Sequence, residues 1–207
     1  MSRTGYSAIL LVPALLLVAI ASSATAPRVD AVTFSCLIVV NSTADNAAAD
    51  AVVTLREAML FATDEEVPTA PEKDQISCSP VDDDNPGVDR NDAIVFDPEV
   101  FPPDVPATIA LTHPDGGLPA LYTGHDSVDA GFGGVIIDGV NDALDCFLIL
   151  SDTNTISGLT ITNCETGILI GFSIAPVAVP SGGSSAPYEF NTIAGNVING
   201  GVIGIDL

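Results

Sequence analysis

Two stretches of the chain, NTISGLTITNCETGILI (residues 154–170) and NTIAGNVINGGVIGIDL (residues 191–207), carry the same pattern. Aligned without gaps, they share three isoleucines, at positions 156, 161 and 168 of the first copy, whereas neighbours of these isoleucines change, as from Thr160 to Val197. Successive side chains of a strand point to opposite faces, so the constant positions mark a buried face and the variable ones a solvent face. The pattern predicts short strands with one buried face, joined by Asn/Gly turns.

A third Ile-x-Gly triplet lies upstream of these two copies. It begins at Ile137, and the others begin at Ile156 and Ile193, at intervals of 19 and 37 residues. A period near 20 residues with strands and no hairpin turns predicts coils stacked in parallel register, that is, an all-β parallel β-helix. Such stacking would place Asn154 over Asn191 in an asparagine ladder. An antiparallel sandwich is the alternative, but it does not explain the recurring phase.

The segment between the last two copies, residues 172–189, has two interpretations. It is either one long excursion from a coil or a degenerate wall strand, SIAPVAV, followed by the loop PSGGSSAPYE. In both cases a Pro/Gly/Ser-rich loop leaves the wall at this point.

The region before the repeats predicts a strand and then a short helix. The stretch AVTFSCLIVV (residues 31–40) alternates like a strand, and Thr54 followed by Glu57 three residues later forms a capping-box pattern. The helix has one apolar face. Its members are Leu55, Ala58, Met59 and Ala62. We expect this helix to cover the apolar interior of the first coil.

The first residues predict export from the cytoplasm. Residues 1–26 contain Arg3, an apolar run over residues 8–21 and the small-residue sequence Ala24-Thr25-Ala26, which together are typical of a signal peptide. The apolar run is shorter than the ~20 residues that a membrane-spanning helix needs. The sequence therefore predicts a secreted or cell-surface protein.

Four cysteines follow the signal peptide: Cys36, Cys78, Cys146 and Cys164. An even number in an oxidising compartment allows two disulfides, with three possible connectivities. Cys146 and Cys164 lie at similar distances from their triplets, so they form either a bridge between neighbouring coils or a stacked pair of free thiols. Cys36 and Cys78 are candidates for a bridge that pins the intervening segment.

The charge of the chain excludes several partners. There are 27 acidic residues against 5 basic ones, and no lysine or arginine follows Arg90. Nucleic acids and anionic membranes need a basic surface, so neither is an expected partner. The acidity has two interpretations, a solvated surface or a calcium site.

The acidic loop over residues 64–93 contains the calcium candidates Asp82, Asp84 and Asp89. When an EF-hand loop is aligned with Asp82 first, Pro86 and Ala93 occupy two ligand positions, so the motif fails. We therefore predict no cofactor, with a looser calcium site as the alternative.

The opening VNSTAD, the helix TLREAM and the later DAIVFDPEVF, ATIALT, LPAL and VIIDG resemble the CSLREA-domain proteins. The resembling residues of the helix are Thr54, Leu55, Arg56, Glu57, Ala58 and Met59. Val53 stands where the family has its cysteine, and Met59 replaces an isoleucine. The resemblance covers about residues 32–207 and implies a right-handed parallel β-helix of the pectin-lyase-like type. The resemblance implies no particular activity.

The resulting domain organisation is a signal peptide (1–26), a CSLREA-like strand and capping helix (32–63), the acidic loop (64–93) and the β-helix repeats (94–207). The last strand stops at Leu207 without a cap, which predicts that the native chain continues.

The sequence favours a non-catalytic scaffold, adhesive or carbohydrate-binding, with polysaccharide or cell-surface components as partners. An uncovered last strand also predicts edge-to-edge self-association. The alternative is a polysaccharide lyase or glycosidase whose catalytic coils lie beyond residue 207. The repeats supply no basic residue for such a site.

Overall fold

Short β-strands make up most of the fold. The structure is a computed structural model, and the residues it describes are 35–48, 50–63, 65, 72–78, 91–131, 133–140, 144–171 and 188–207. They belong to one compact unit, Thr33–Leu207. The predicted signal peptide lies outside the described residues.

The described residues form eleven strands, one α-helix and one 3₁₀ helix. The helix α1 spans Leu55–Ala62, and the 3₁₀ helix spans Glu72–Gln75. The strands are β1 Cys36–Val40, β2 Ile76–Cys78, β3 Asp92–Phe96, β4 Ala107–Ala110, β5 Ser127–Asp129, β6 Val135–Asp138, β7 Asp145–Ile149, β8 Thr155–Ser157, β9 Thr160–Ile170, β10 Thr192–Ala194 and β11 Val197–Asp206.

These strands form two sheets. The first has six strands in the order β10-β8-β5-β3-β1-β2, and the second has the order β11-β9-β6-β4 with β7 also paired to β9. The pair β1–β2 is antiparallel, and the other strand pairs of the two sheets are parallel. The larger sheet is therefore mixed.

This arrangement shows that the predicted fold class, an all-β right-handed parallel β-helix, is wrong. The described residues form a six-stranded mixed sheet, a five-stranded sheet and a helix, which is an α/β sheet fold. Parallel neighbours need only a crossover connection between them, and open sheets satisfy that requirement too. Residues that recur at equivalent positions of a repeat therefore indicate which residues of neighbouring parallel strands pair. They do not show that the strands belong to a stack of coils.

The strand register also shows that the described strands lack the constant repeat period near 20 residues on which the β-helix prediction depended. Ile137 pairs with Ile161 in β9, not with Ile156 of the triplet that resembles its own. Down the larger sheet, Ile94, Val128, Ile156 and Ile193 lie side by side, at intervals of 34, 28 and 37 residues. The near-20 spacing was a coincidence between triplets that occupy different sheets.

The two long copies of the repeat do lie next to each other. Thr155 pairs with Thr192, and Ile161 pairs with Ile198, so β8 and β9 each have their copy as a parallel neighbour. Asn163 bends the backbone with a φ of 54°, which among non-glycine residues Asn tolerates best. The repeat thus encodes the register of neighbouring strands.

Helix α1 packs against β1 and β3 through the face that its spacing predicts. Leu55 and Met59 are fully buried, and burial of such a side chain contributes about 1.5–3 kcal/mol. On β1, Cys36, Ile38 and Val40 point into the same core. Within the described ranges, none of the helices is long and apolar enough to cross a bilayer.

Candidate functional site

The start of helix α1 uses two polar residues of the CSLREA-like motif. The backbone amide of Glu57 donates to Thr54 Oγ1 over 3.2 Å, and the amide of Thr54 donates to Glu57 Oε2 over 2.8 Å. The Thr54 hydroxyl also donates to the carbonyl of Asn46 over 2.7 Å. Both side chains therefore hold the helix start and the preceding loop in place.

Arg56 of the same motif forms a buried ion pair. Its Nε donates to Asp45 Oδ1 over 2.7 Å, and its guanidinium also donates to the carbonyl of Gly116 over 2.9 Å. The other oxygen of Asp45 accepts hydrogen bonds from the backbone amides of Thr112 and His113, each over 2.7 Å. The side chains are 5% and 0% exposed, so water contributes little to their stabilisation. This cluster joins the helix to the loops after β1 and β4.

Sequence reasoning missed Asp45. It lies in the loop NSTADN, and no periodicity connects it with Arg56, eleven residues later. No signal in the sequence pointed to this pair, because Arg56 lies outside the predicted apolar face of the helix and its burial is a property of the folded chain.

Asn and Asp side chains link several neighbouring strands of the six-stranded sheet. The backbone amide of Cys36 donates to Asp92 Oδ1 (3.0 Å), that of Asp126 to Asn154 Oδ1 (3.2 Å) and that of Asn154 to Asn191 Oδ1 (2.7 Å). In each step, a side-chain oxygen accepts from the residue in the neighbouring strand or at its start. The asparagine ladder expected from Asn154 and Asn191 is present. Asp92 makes the same kind of contact, because a carboxylate oxygen accepts as an amide oxygen does, whereas Asp126 joins the ladder through its backbone amide.

The four cysteines form two disulfides, Cys36–Cys78 and Cys146–Cys164. The first joins directly opposite residues of β1 and β2, and the second joins β7 to β9. No described cysteine has a free thiol. The two disulfides are consistent with an extracellular protein.

The calcium candidates Asp82, Asp84 and Asp89 lie outside the described residues. Within the described ranges, no group of three or more His, Cys, Asp or Glu side chains is arranged to hold a metal ion. Most of the loop predicted over residues 172–189 also lies outside them. At its end, the amide of Glu189 donates to Asp152 Oδ1 over 2.8 Å.

Strands β10 and β11 form the bare edge, which is one edge of each sheet. A shallow groove of about 70 Å³ lies along β9 and β11, lined partly by Ile161, Ile198 and Ile203. Val202 and Phe190 project from the same region into solvent. In the described part of the chain, six of the ten exposed large hydrophobic side chains lie in residues 190–207.

The chain matches no protein-family model, no curated protein and no solved structure. The similarity to CSLREA-domain proteins therefore stays a prediction that the motif alone supports.

Proposed function

We propose that this chain is an exported, non-catalytic scaffold of a surface or secreted protein, related to the CSLREA-domain proteins, which binds polysaccharide on a sheet face. The predicted signal peptide over residues 1–26 supports export. So do the two disulfides, which persist in oxidising compartments.

The ion pair of Arg56 with Asp45 is the observation that carries the non-catalytic assignment. A polysaccharide-cleaving site needs charged groups that reach the substrate, whereas both of these groups are buried and bonded to loop backbone. Beyond Arg90 the sequence has no lysine or arginine. The charged residues of the motif thus support a rigid framework.

The outward face of the six-stranded sheet supplies a row of hydroxyl groups. Ser127, Thr155 and Thr192 are paired across β5, β8 and β10, and they alternate with residues that pack into the core. Neighbouring strands lie about 4.8 Å apart, so the hydroxyls form a regular line. Such a line matches the repeating hydroxyls of a sugar polymer.

The charge of the chain selects among polysaccharides. A formal net charge of −22 repels anionic polymers such as polyuronates. We therefore assign a neutral polysaccharide as the ligand class.

The test is a binding assay of the full chain with insoluble cellulose and chitin as probes, followed by analysis of the supernatant for new reducing ends. The variant Thr155→Asp places a charge in the hydroxyl row. Its matched control, Thr160→Asp, changes an equally half-buried threonine that starts β9 of the other sheet.

We expect the wild type and Thr160→Asp to bind, Thr155→Asp to lose most of its binding, and no product to accumulate over long incubation. Absence of binding to both polymers would overturn the assignment of the ligand. Release of reducing ends would instead favour the enzymatic alternative.

A further inference from the structure

The two disulfides differ in their exposure to solvent. Cys146 and Cys164 are 0% and 2% exposed, so both ends of that bridge lie in the core. In the other bridge Cys36 is 3% exposed, whereas Cys78 at the end of β2 is exposed. Thiol–disulfide exchange requires a thiolate that reaches one sulfur atom of the bridge. Of the four cysteines, all of which lie in described residues, only Cys78 is open to such an approach.

Strand β2 is held by few contacts besides its disulfide. It is three residues long, and its one neighbour in the sheet is β1. Ile76 packs against the core, whereas Ser77 and Cys78 are exposed. Short elements with few buried contacts open locally at a low cost in free energy. The exposed bridge therefore fastens a strand that can leave the sheet without disturbing the core.

The other end of the bridge lies in a strand that does not need β2. Strand β1 pairs in parallel with β3 at five positions, and helix α1 packs on it. The backbone amide of Cys36 also donates to Asp92 Oδ1, a contact in which β2 takes no part. Opening of the bridge therefore frees β2 and leaves β1 in the core.

We infer that the Cys36–Cys78 disulfide is a site of thiol–disulfide exchange, and that small thiols attack it at Cys78. The attacking thiolate forms a bond to Cys78 Sγ, the bond between the two cysteines breaks, and its electron pair leaves on Cys36 Sγ, which takes up a proton. A second thiol then displaces the attached group as a disulfide and leaves Cys78 as a thiol. Two thiols are oxidised to one disulfide, and the bridge is reduced by two electrons.

The charge of the chain selects among thiols. The formal net charge is −22, and Asp74, four residues before Cys78, is exposed. The attacking thiolate is an anion, so the acidic chain repels it, and any further negative charge on the reactant adds to that repulsion. We therefore assign a small thiol without an additional negative charge as the preferred reactant. This exchange does not depend on polysaccharide binding.

The test is treatment of the folded chain with β-mercaptoethanol or with mercaptoethanesulfonate, a thiol of similar size that carries one more negative charge. Free thiols are then alkylated with iodoacetamide, and each cysteine is quantified by peptide mass spectrometry. Far-UV circular dichroism follows the fold during the reaction. The control is the double variant Cys36→Ala, Cys78→Ala, which keeps only the buried bridge.

We expect Cys36–Cys78 to open about tenfold faster or more than Cys146–Cys164, because exchange requires access to a sulfur atom. The mixed disulfide of the first step should lie on Cys78, with Cys36 as the free thiol. Mercaptoethanesulfonate should react more slowly than β-mercaptoethanol, and added salt should narrow the difference. The circular dichroism should change little, and the double variant should become alkylated only when urea unfolds it.

Several results would overturn the inference. Equal opening rates of the two disulfides, or earlier opening of Cys146–Cys164, would remove the selectivity. An adduct on Cys36, or no opening before urea unfolds the chain, would remove Cys78 as the point of attack. Loss of the strand signal on opening would show that the bridge holds the whole fold, and equal rates for the two thiols would contradict the assigned reactant. Polysaccharide binding by Thr155→Asp and Thr160→Asp is measured separately, so the two proposals fail independently.

Discussion

Two regions of this molecule contain similar strands but differ in what covers them. Around β1, the apolar residues lie under helix α1, and Cys36, Ile38 and Val40 are buried. Along β11 no described element lies beside the outer edge, and almost the whole strand is exposed. The two strands share isoleucines in register, because Ile198 and Ile205 of β11 pair with Ile161 and Ile168 of the buried strand β9.

The difference teaches that a neighbour, and not the strand sequence, makes a strand part of the core. At the covered region that neighbour is held by polar contacts at fixed points: the capping box at Thr54 and the ion pair of Arg56 with Asp45. At the bare edge no described element supplies such contacts. The predictions below test each side of this comparison.

The largest expected effect is at the ion pair. Arg56→Ala leaves the buried carboxylate of Asp45 without its cationic partner, so we expect a loss of about 3–5 kcal/mol in the free energy of unfolding. Equilibrium unfolding in urea measures it. Arg56→Lys is the matched control, because it keeps the charge but not the fork that reaches both Asp45 and Gly116. It should lose clearly less. A loss below about 1 kcal/mol for Arg56→Ala would show that the helix does not depend on this pair.

The next prediction compares equivalent isoleucines on the two strands of the repeat. Ile168→Ala should cost about 2–5 kcal/mol, because it leaves a cavity in the core. Ile205→Ala should cost less than about 1 kcal/mol, because the side chain is half exposed. Both are measured by urea unfolding at a concentration low enough to keep the chain monomeric. Equal losses would contradict the assignment of β11 as an uncovered edge.

The repeat also shows how much of the fold was predictable from the sequence. The strands over residues 154–170 and 191–207 and the pairing of their residues follow from alternation, which is a local property. The sheet arrangement does not, because equal phase reports register between parallel neighbours but not the path of the chain between them. The triplet at Ile137 illustrates this limit: it matches Ile156 in sequence and pairs with Ile161 in space.

Part of the candidate site was likewise predictable from the sequence, and part was not. The capping box was readable because Thr54 and Glu57 are three residues apart and satisfy one another locally. Asp45 and the loop amides of Thr112 and His113 were not readable, because their contacts connect segments 67 and 68 residues apart. Only a folded chain brings such groups together.

The smallest expected effect concerns the start of the helix that covers β1. The Thr54 hydroxyl accepts from the Glu57 amide and donates to the Asn46 carbonyl, so its removal in Thr54→Ala should lower the free energy of unfolding by about 1–2 kcal/mol. Thr54→Ser is the matched control: both variants lose the buried methyl group, and only the alanine variant loses the hydroxyl. The difference between them, measured by urea unfolding, therefore isolates the cap. If the two variants were equally stable, the N-cap hydrogen bonds of Thr54 would not contribute to stability. The helix would then be held over β1 by its apolar face and by Arg56 alone.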